Sequence, residues 1–376
     1  MDFSFNETQK EVQGLARQML TDLATVERLN AIDQQDDRFD ADLWKQLAEA
    51  GLLGVAIDEK FGGMGFGFTE LALFVEEVGR TVAPVPVVPV LVSAAMPIQK
   101  FGSAVLKKAW LPRIASGEVL VTAALAEDRN EDPALPLTTA KSKGKSLLVS
   151  GTKICVPFAK MAERVLVSAK TSKGVVVVLV DPKAKGVKLT RQVSTTREPW
   201  FEMIMKDVVV PEAEIVVKAD KGAAAMKWVS ERTMTAMCAM QIGVSDKAMR
   251  MTASYACERQ QFGVPIGTFQ AVQHRAANCY MDVECLKLTT YQAMSLLDGG
   301  FEATNEVLIA KIWAGDTGHR VSYAAQHLHG GFGIDRDYSL WRYSLWARQL
   351  EMSLGTSARL LAGLGERIAA GKAYAD

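Results

Sequence analysis

ACERQQFGVPIGTFQAVQHR, residues 256–275, is the stretch on which the reading of this chain turns. A helical run ends in a charged pair, Glu258 and Arg259. The chain then turns through Phe262, Gly263, Val264 and Pro265. A second helix follows, with Phe269, Gln270 and Gln273 in its first turns. Taken alone, Arg259 is a helix-end cation that complements the helix dipole and pairs with a nearby carboxylate. A guanidinium, an aromatic ring and side-chain amides around one tight turn are more than that role needs.

Outward from this turn the pattern is helical on both sides. From Ala219 to the end, apolar residues recur at helical spacing. Long helices are expected over about 223–258, 266–298, 302–329 and 338–370, broken at Gly263–Pro265, Gly299–Gly300 and the glycine cluster 330–333. Four long helices with short connections form an antiparallel bundle. Upstream, residues 118–218 change texture. VLVTAALAE, SLLVSGTKICV, RVLVSAK, VVVVLVD, VKLTRQ and FEMIMKDVVVP are short, β-branched and separated by turn residues, as in a β-barrel or sandwich domain. Residues 1–117 are helical again. Asn6 to Gln9 can form a capping box, Asp40 or Asp42 can cap LWKQLAEAG, and Thr69 can cap the helix running to Arg80. FGGMGFGFTE lacks phosphate-loop spacing and reads as a connector. The expected fold is α+β with three parts: a helical domain at 1–117, a β domain at 118–218 and a four-helix bundle at 219–376.

The chain has 376 residues, 49% of them hydrophobic and 23% charged, as in a globular protein with a sizeable core. Lys plus Arg and Asp plus Glu are both 43, which argues against nucleic acid or an anionic membrane as the main partner. MDFSFNETQK has no apolar stretch of a signal peptide, and the longest apolar run is broken by Pro84, Pro86 and Pro89. Cys155, Cys238, Cys257, Cys279 and Cys285 are unclustered and are expected to be buried thiols of a reducing cytoplasm rather than metal ligands or disulfides.

Two further segments stand out. HLHGGFG, residues 327–333, holds paired glycines at a helix end. They serve as a C-cap or let a ligand approach the backbone. LGTSARL, residues 354–360, interrupts a helical pattern with Gly355 and Thr356. In this order, in a four-helix bundle after a β domain, these segments resemble the acyl-CoA dehydrogenases. The resemblance covers nearly the whole chain. It is strongest in YACERQQFGVPIGTFQAVQHRAA and HLHGGFGIDRDYSLWR, where the family reads close to R-x-x-F-G-x-x-I-x-x-x-Q and Q-x-x-G-G-x-G.

The resemblance implies FAD as cofactor, an acyl-CoA as substrate and an electron-transfer flavoprotein as acceptor. It implies that Arg259 meets the pyrophosphate of an FAD seated mainly in a neighbouring subunit, with Phe262 and Gly263 on the adenosine half. Phe269 and Gln270 would lie beside the adenine or ribitol. Gly330 and Gly331, with His327 where the family has Gln, would face the diphosphate, and Thr356 would reach the cofactor from the last helix.

The resemblance fails at the residues that do the chemistry. A Glu that removes the α proton usually precedes the Gly-Thr of the last helix; here it is Leu354, which accepts no proton. In members with the base on the first bundle helix, the matching position is Thr233. Glu231 lies two residues away and is the alternative candidate. LAEDRNEDP and ICVPFAK replace the family's T-E-P-x-x-G-S-D and W-I-T-N-G, so the residues flanking the isoalloxazine ring are missing. The adenosine-side set survives and the ring-side set is gone. That pattern implies the non-catalytic subunit of an α2β2 acyl-CoA dehydrogenase, similar to a branch found in bacterial steroid side-chain degradation. Two other readings are a self-sufficient homotetrameric enzyme with a displaced base and a non-enzymatic CoA- or flavin-binding scaffold.

Overall fold

The computed structural model describes residues 4–130 and 132–372. Helices come first: α1 (Glu7–Leu23), α2 (Val26–Asp33), α3 (Ala41–Glu49), α4 (Phe68–Thr81), α5 (Met96–Phe101) and α6 (Ala104–Ala115). The capping box of α1 is present, with Asn6 Oδ1 accepting from the Gln9 amide at 2.9 Å and Gln9 Oε1 accepting from the Asn6 amide at 3.0 Å. Asp40 caps α3 through the Leu43 amide at 2.9 Å. Thr69 is not the cap of α4. The helix starts at Phe68, and Glu70 reaches back to the Gly67 amide at 2.8 Å.

The strands are β1 (Val121–Ala124), β2 (Thr139–Lys143), β3 (Ser146–Pro157), β4 (Arg164–Thr171), β5 (Gly174–Val180), β6 (Val187–Val193), β7 (Pro199–Pro211) and β8 (Ile215–Val217). They form one mixed sheet in the order β6-β7-β3-β2-β4-β5-β8, with β1 parallel to β4. Val149, Val156, Val167, Val178, Met203 and Val208 are the centre of its apolar core. The β-branched valines suit a pleated surface, and burial of each of these side chains contributes roughly 1.5–3 kcal/mol. Between Lys153 and Val156 the β3–β7 register shifts, and Cys155 within this bulge has φ +52°.

The last part is helical: α7 (Gly222–Glu258), α8 (Gln270–Asp298), α9 (Thr304–His329), α10 (Leu340–Met352) and α11 (Ser357–Ala369). Where one helix was expected over 338–370, two occur. Leu354 at φ +54° and Gly355 at φ +106° leave the right-handed region, so the helix cannot continue through them. Lys311, buried in α9, donates to the carbonyls of Leu350, Glu351 and Gly355 and so satisfies the open end of α10.

By contacts the chain divides into two compact units, 1–29 with 72–83 and 234–376, and 30–71 with 84–233. The first unit is helical. Its polar centre is Arg80, which ion-pairs with Glu76, Glu77 and Asp246, while the Tyr291 hydroxyl donates to Glu76 at 2.9 Å. The second unit contains the sheet. Cys238 and Cys279 are buried as expected, but Cys155 and Cys285 are only half-buried and Cys257, in the last turn of α7, is exposed. Among the described residues no helix is long and apolar enough to cross a membrane.

Candidate functional site

The turn after Arg259 is a small hairpin. β9 (Gln260–Gln261) pairs antiparallel with β10 (Val264–Pro265), Gln261 opposite Val264 and Gln260 opposite Pro265. The two residues between them, Phe262 and Gly263, have φ +55° and +81°. Positive φ at both central positions is the mark of a type I′ turn, which matches the twist of the strands and favours Asn-Gly. A phenylalanine in the left-handed region is strained. It is also 94% exposed, touching Phe269 edge-on at 6.2 Å. Strain with so little burial in return marks a ring presented outward.

Arg259 is exposed on the same hairpin, and among the described residues no carboxylate pairs with its guanidinium. Its amide donates to Tyr255 and its carbonyl accepts from Ile266, so the backbone is fixed at both ends while the side chain is open. The structural role as partner of a nearby carboxylate is therefore not realised. Gln270 is exposed at the start of α8. Phe269, at the N-cap position, is 36% exposed. Gln273 donates to the Gly267 carbonyl at 3.0 Å and braces the short turn leading into α8. Beyond it, Tyr280, Met281 and Leu288 continue an exposed apolar stripe along α8.

At the end of α9 the chain turns through Gly330, at φ +59° and ψ −138°, a combination that is essentially glycine-only. Nothing lies within 4 Å of where a Cβ on Gly331 would be. His327 is exposed and accepts from Arg275 Nη1 at 2.9 Å through Nδ1. Thr356 is exposed at the start of α11 and makes no side-chain cap. For a diphosphate and an adenosine these features fit: an open guanidinium, an exposed ring and a glycine turn that a ligand can approach.

The two positions that the family pattern assigns to a base are occupied by Leu354 and Thr233. Leu354 is half-buried in its left-handed turn. Thr233 is buried, its hydroxyl 2.9 Å from that of Ser93. Glu231 lies on α7 with Lys227 3.7 Å away one turn earlier. The next residue, Arg232, is buried with its guanidinium 3.9 Å from the centre of the Trp228 ring.

The segments matching the family's ring seat are closed on themselves. The Cys155 amide donates to Gln192 Oε1 at 2.7 Å, and the Ile154 amide donates to the Ala126 carbonyl. Glu127, 3% exposed, accepts from the amides of Leu137 and Thr138, from Asn130 Nδ2 at 3.0 Å, and from fully buried Lys153 at 2.9 Å. Burial alone would raise the Glu127 carboxyl. The Lys153 ammonium and the amides outweigh it and hold the carboxyl at about 2. Burial pushes Lys153 below its ordinary value, with Glu127 opposing. The ion pair is the state we assign, because the carboxylate has several donors besides the lysine. The amides of Leu137, Thr138, Ile154 and Cys155 are thus bonded within the chain and are not open to a ligand.

Sequence reasoning missed two features here. One is the Glu127–Lys153 pair, which is long-range and leaves no local signal. The other is an aromatic cluster of Tyr255, His329, Phe332 and Tyr338. Tyr255 stands one helical turn before Arg259, a spacing that could have drawn notice.

Known proteins similar to this chain identify its family. The description "Acyl-CoA dehydrogenase, N-terminal domain" matches residues 6–118, and "Acyl-CoA dehydrogenase, C-terminal domain" matches residues 220–369. The chain is 33% identical over 377 residues to acyl-CoA dehydrogenase FadE27 of Mycobacterium tuberculosis, covering 98% of this chain and 99% of that one. Among solved structures it is similar to "Tcur3481-Tcur3483 steroid ACAD G363A variant", with 41% identity, TM-score 0.91 and coverage of 98% and 99%. It is also similar to the ChsE4-ChsE5 complex from Mycobacterium tuberculosis, with 34% identity, TM-score 0.93 and the same coverage. Members of the matched family are FAD-dependent oxidoreductases. This chain, with its helical start, mixed sheet and helical end, belongs to the acyl-CoA dehydrogenase family.

Proposed function

We propose that this protein is the non-catalytic subunit of an α2β2 acyl-CoA dehydrogenase. It supplies the adenosine and pyrophosphate half of an FAD site to a catalytic paralogue. The observation that carries this reading is the contrast between the residues that would meet a neighbour's FAD and those that would hold the chain's own flavin ring. Arg259 and Phe262 stand open on a strained hairpin, while the amides that would meet the flavin ring are bonded internally. A decayed enzyme would be expected to lose both sets.

When bound, FAD supplies hydride acceptance. This chain's share is to hold and orient the cofactor's other end. Arg259 presents a planar fork to the pyrophosphate. Phe262 packs on the adenosine, with Gly263 letting the hairpin turn beneath it. Phe269 and Gln270 flank the adenine or ribitol, Gly330 and Gly331 with His327 border the diphosphate, and Thr356 approaches from α11. The exposed apolar stripe of α8 is the kind of face that a paralogous subunit covers. The similarity to a structure titled as a steroid ACAD, and to one titled as a complex of two named components, supports a two-component enzyme acting on a steroid side-chain CoA thioester. Electrons would pass to an electron-transfer flavoprotein, and a cytoplasmic location suits all of these partners.

The test is co-expression with candidate paralogues, followed by counting FAD per tetramer. The expected result is half a flavin per chain in a two-component tetramer. Purified alone, the protein should show little flavin absorbance and no acyl-CoA dehydrogenation. Stoichiometric flavin, bleached by an acyl-CoA in the protein alone, would overturn the proposal in favour of a self-sufficient enzyme.

Leu354→Glu should leave the protein alone inactive. A base works only against a substrate held over a flavin ring, and Cys155 and Glu127 sit in segments whose donors are already used. Turnover by the single variant would contradict this account of the ring seat.

A further inference from the structure

We propose that Tyr255, His329, Phe332 and Tyr338 form a positioning device that fixes Arg259 relative to the Gly330–Gly331 turn. The two arms of the half-site would then present to a ligand as one rigid unit. The inference rests on the reading above that this half-site meets FAD held by a paralogue.

The two arms come from different helices. Arg259 directly follows α7 and the glycine turn directly follows α9. Among the described residues no hydrogen bond or ion pair joins residues 255–269 to residues 327–338. The link is made by rings. Tyr255 lies one turn before Arg259, whose amide donates to its carbonyl at 2.8 Å. The Tyr255 ring stacks on His329 at 4.3 Å and 24°, and on Phe332 at 5.7 Å and 14°. Tyr338 closes the group, 4.5 Å from Phe332 and 5.3 Å from His329. His329 and Phe332 directly flank the two glycines, so a ring held on Tyr255 holds the turn between them.

His329 is oriented from both sides. Its Nδ1 lies 2.8 Å from the Ala325 carbonyl, which can only accept, so we assign the proton to Nδ1. Nε2 is then the acceptor for the Tyr338 hydroxyl at 3.1 Å. Burial also pushes His329 below its ordinary value, which favours this neutral form. Rotation of the imidazole would break both bonds. The Gln326 amide adds a bond to the Gly330 carbonyl at 3.2 Å, fixing the glycine-only conformation. A half-site built in this way meets its ligand without ordering two separate segments, and preorganisation of that kind raises affinity.

The experiment has two readouts. The first is hydrogen exchange of segments 259–268 and 328–336 in the protein alone. The second is FAD affinity of the co-expressed complex, beside the melting temperature of its apo form. Tyr255→Leu should speed exchange in both segments and weaken FAD binding about tenfold. Tyr255→Phe keeps the ring and should match the unaltered protein in both. Tyr338→Phe removes only the hydroxyl on His329 and should speed exchange in 328–336, which keeps the test open if Tyr255→Leu does not fold. Unchanged exchange in both Tyr255→Leu and Tyr338→Phe overturns the inference, as does a Tyr255→Phe that behaves like the leucine variant. Faster exchange with unchanged FAD affinity also overturns it, provided that Arg259→Ala does release FAD. If Arg259→Ala releases no FAD either, the proposed function fails and takes this inference with it.

Discussion

Lys153→Met is expected to destabilise the protein by about 3–5 kcal/mol, because it leaves a buried carboxylate without its cation. Glu127 would keep the Leu137 and Thr138 amides and Asn130, but these are dipoles and cannot replace a unit charge 2.9 Å away. Glu127→Gln should also destabilise, because it leaves the fully buried Lys153 ammonium with the Ser168 hydroxyl at 3.5 Å and an amide oxygen in place of its carboxylate. Lys153→Met combined with Glu127→Gln should cost less than the sum of the two, which is the mark of a direct pair. The measurement is the urea midpoint of each variant, beside hydrogen exchange in residues 146–157. The pH dependence has a definite sign. Glu127 titrates at about 2 in the fold against an ordinary 4.5, so its contribution is complete above 4.5 and is lost as pH falls through about 2. In Lys153→Met the uncompensated carboxyl should titrate higher, so the difference between variant and parent should narrow on acidification from 4.5 towards 2. Equal midpoints at pH 7 would show that the pair contributes no stability.

The same pair explains part of what could and could not be read from the sequence. Lys153 sits in GTKICV, which reads correctly as a strand, but nothing local says that its ammonium points inward to residue 127. That depends on a bulge between Lys153 and Val156 that shifts the β3–β7 register. β2 was missed for a related reason. TAKSK buries only Ala140 and exposes Lys141 and Lys143, so it has no apolar alternation, and its place is set by pairing with β3. The bundle helices were legible because their small and apolar residues repeat at helical spacing over many turns. The exception was the break at Leu354, where a leucine in the left-handed region is unexpected from composition. At the half-site, the sequence singled out the outward-facing residues Arg259 and Phe262. It took His327 from HLHGGFG and passed over His329, which is buried and does its work through rings distant in the chain.

Arg259→Ala is expected to reduce FAD affinity of the two-component complex roughly tenfold to a hundredfold, the equivalent of about 1.5–3 kcal/mol for a charge-assisted contact. Folding and assembly should be unaffected, because among the described residues the guanidinium pairs with no carboxylate and the side chain is exposed. Its hairpin is held by the backbone bonds to Tyr255 and Ile266, which alanine retains. Arg259→Lys should restore only part of the affinity. An ammonium keeps the charge but not the planar fork that meets two phosphate oxygens together. Phe262→Gly gives the complementary outcome. Glycine is unstrained at φ +55°, so the hairpin should be at least as stable, while the ring that packs on the adenosine is gone. A variant that gains stability and loses FAD would separate the ring's binding role from any role in folding. The measurements are FAD per tetramer after gel filtration and the melting temperature of the apo complex. Full flavin occupancy in Arg259→Ala and Phe262→Gly together would mean that the open hairpin serves no cofactor. The contrast between an exposed half-site and a closed ring seat would then lose its functional meaning.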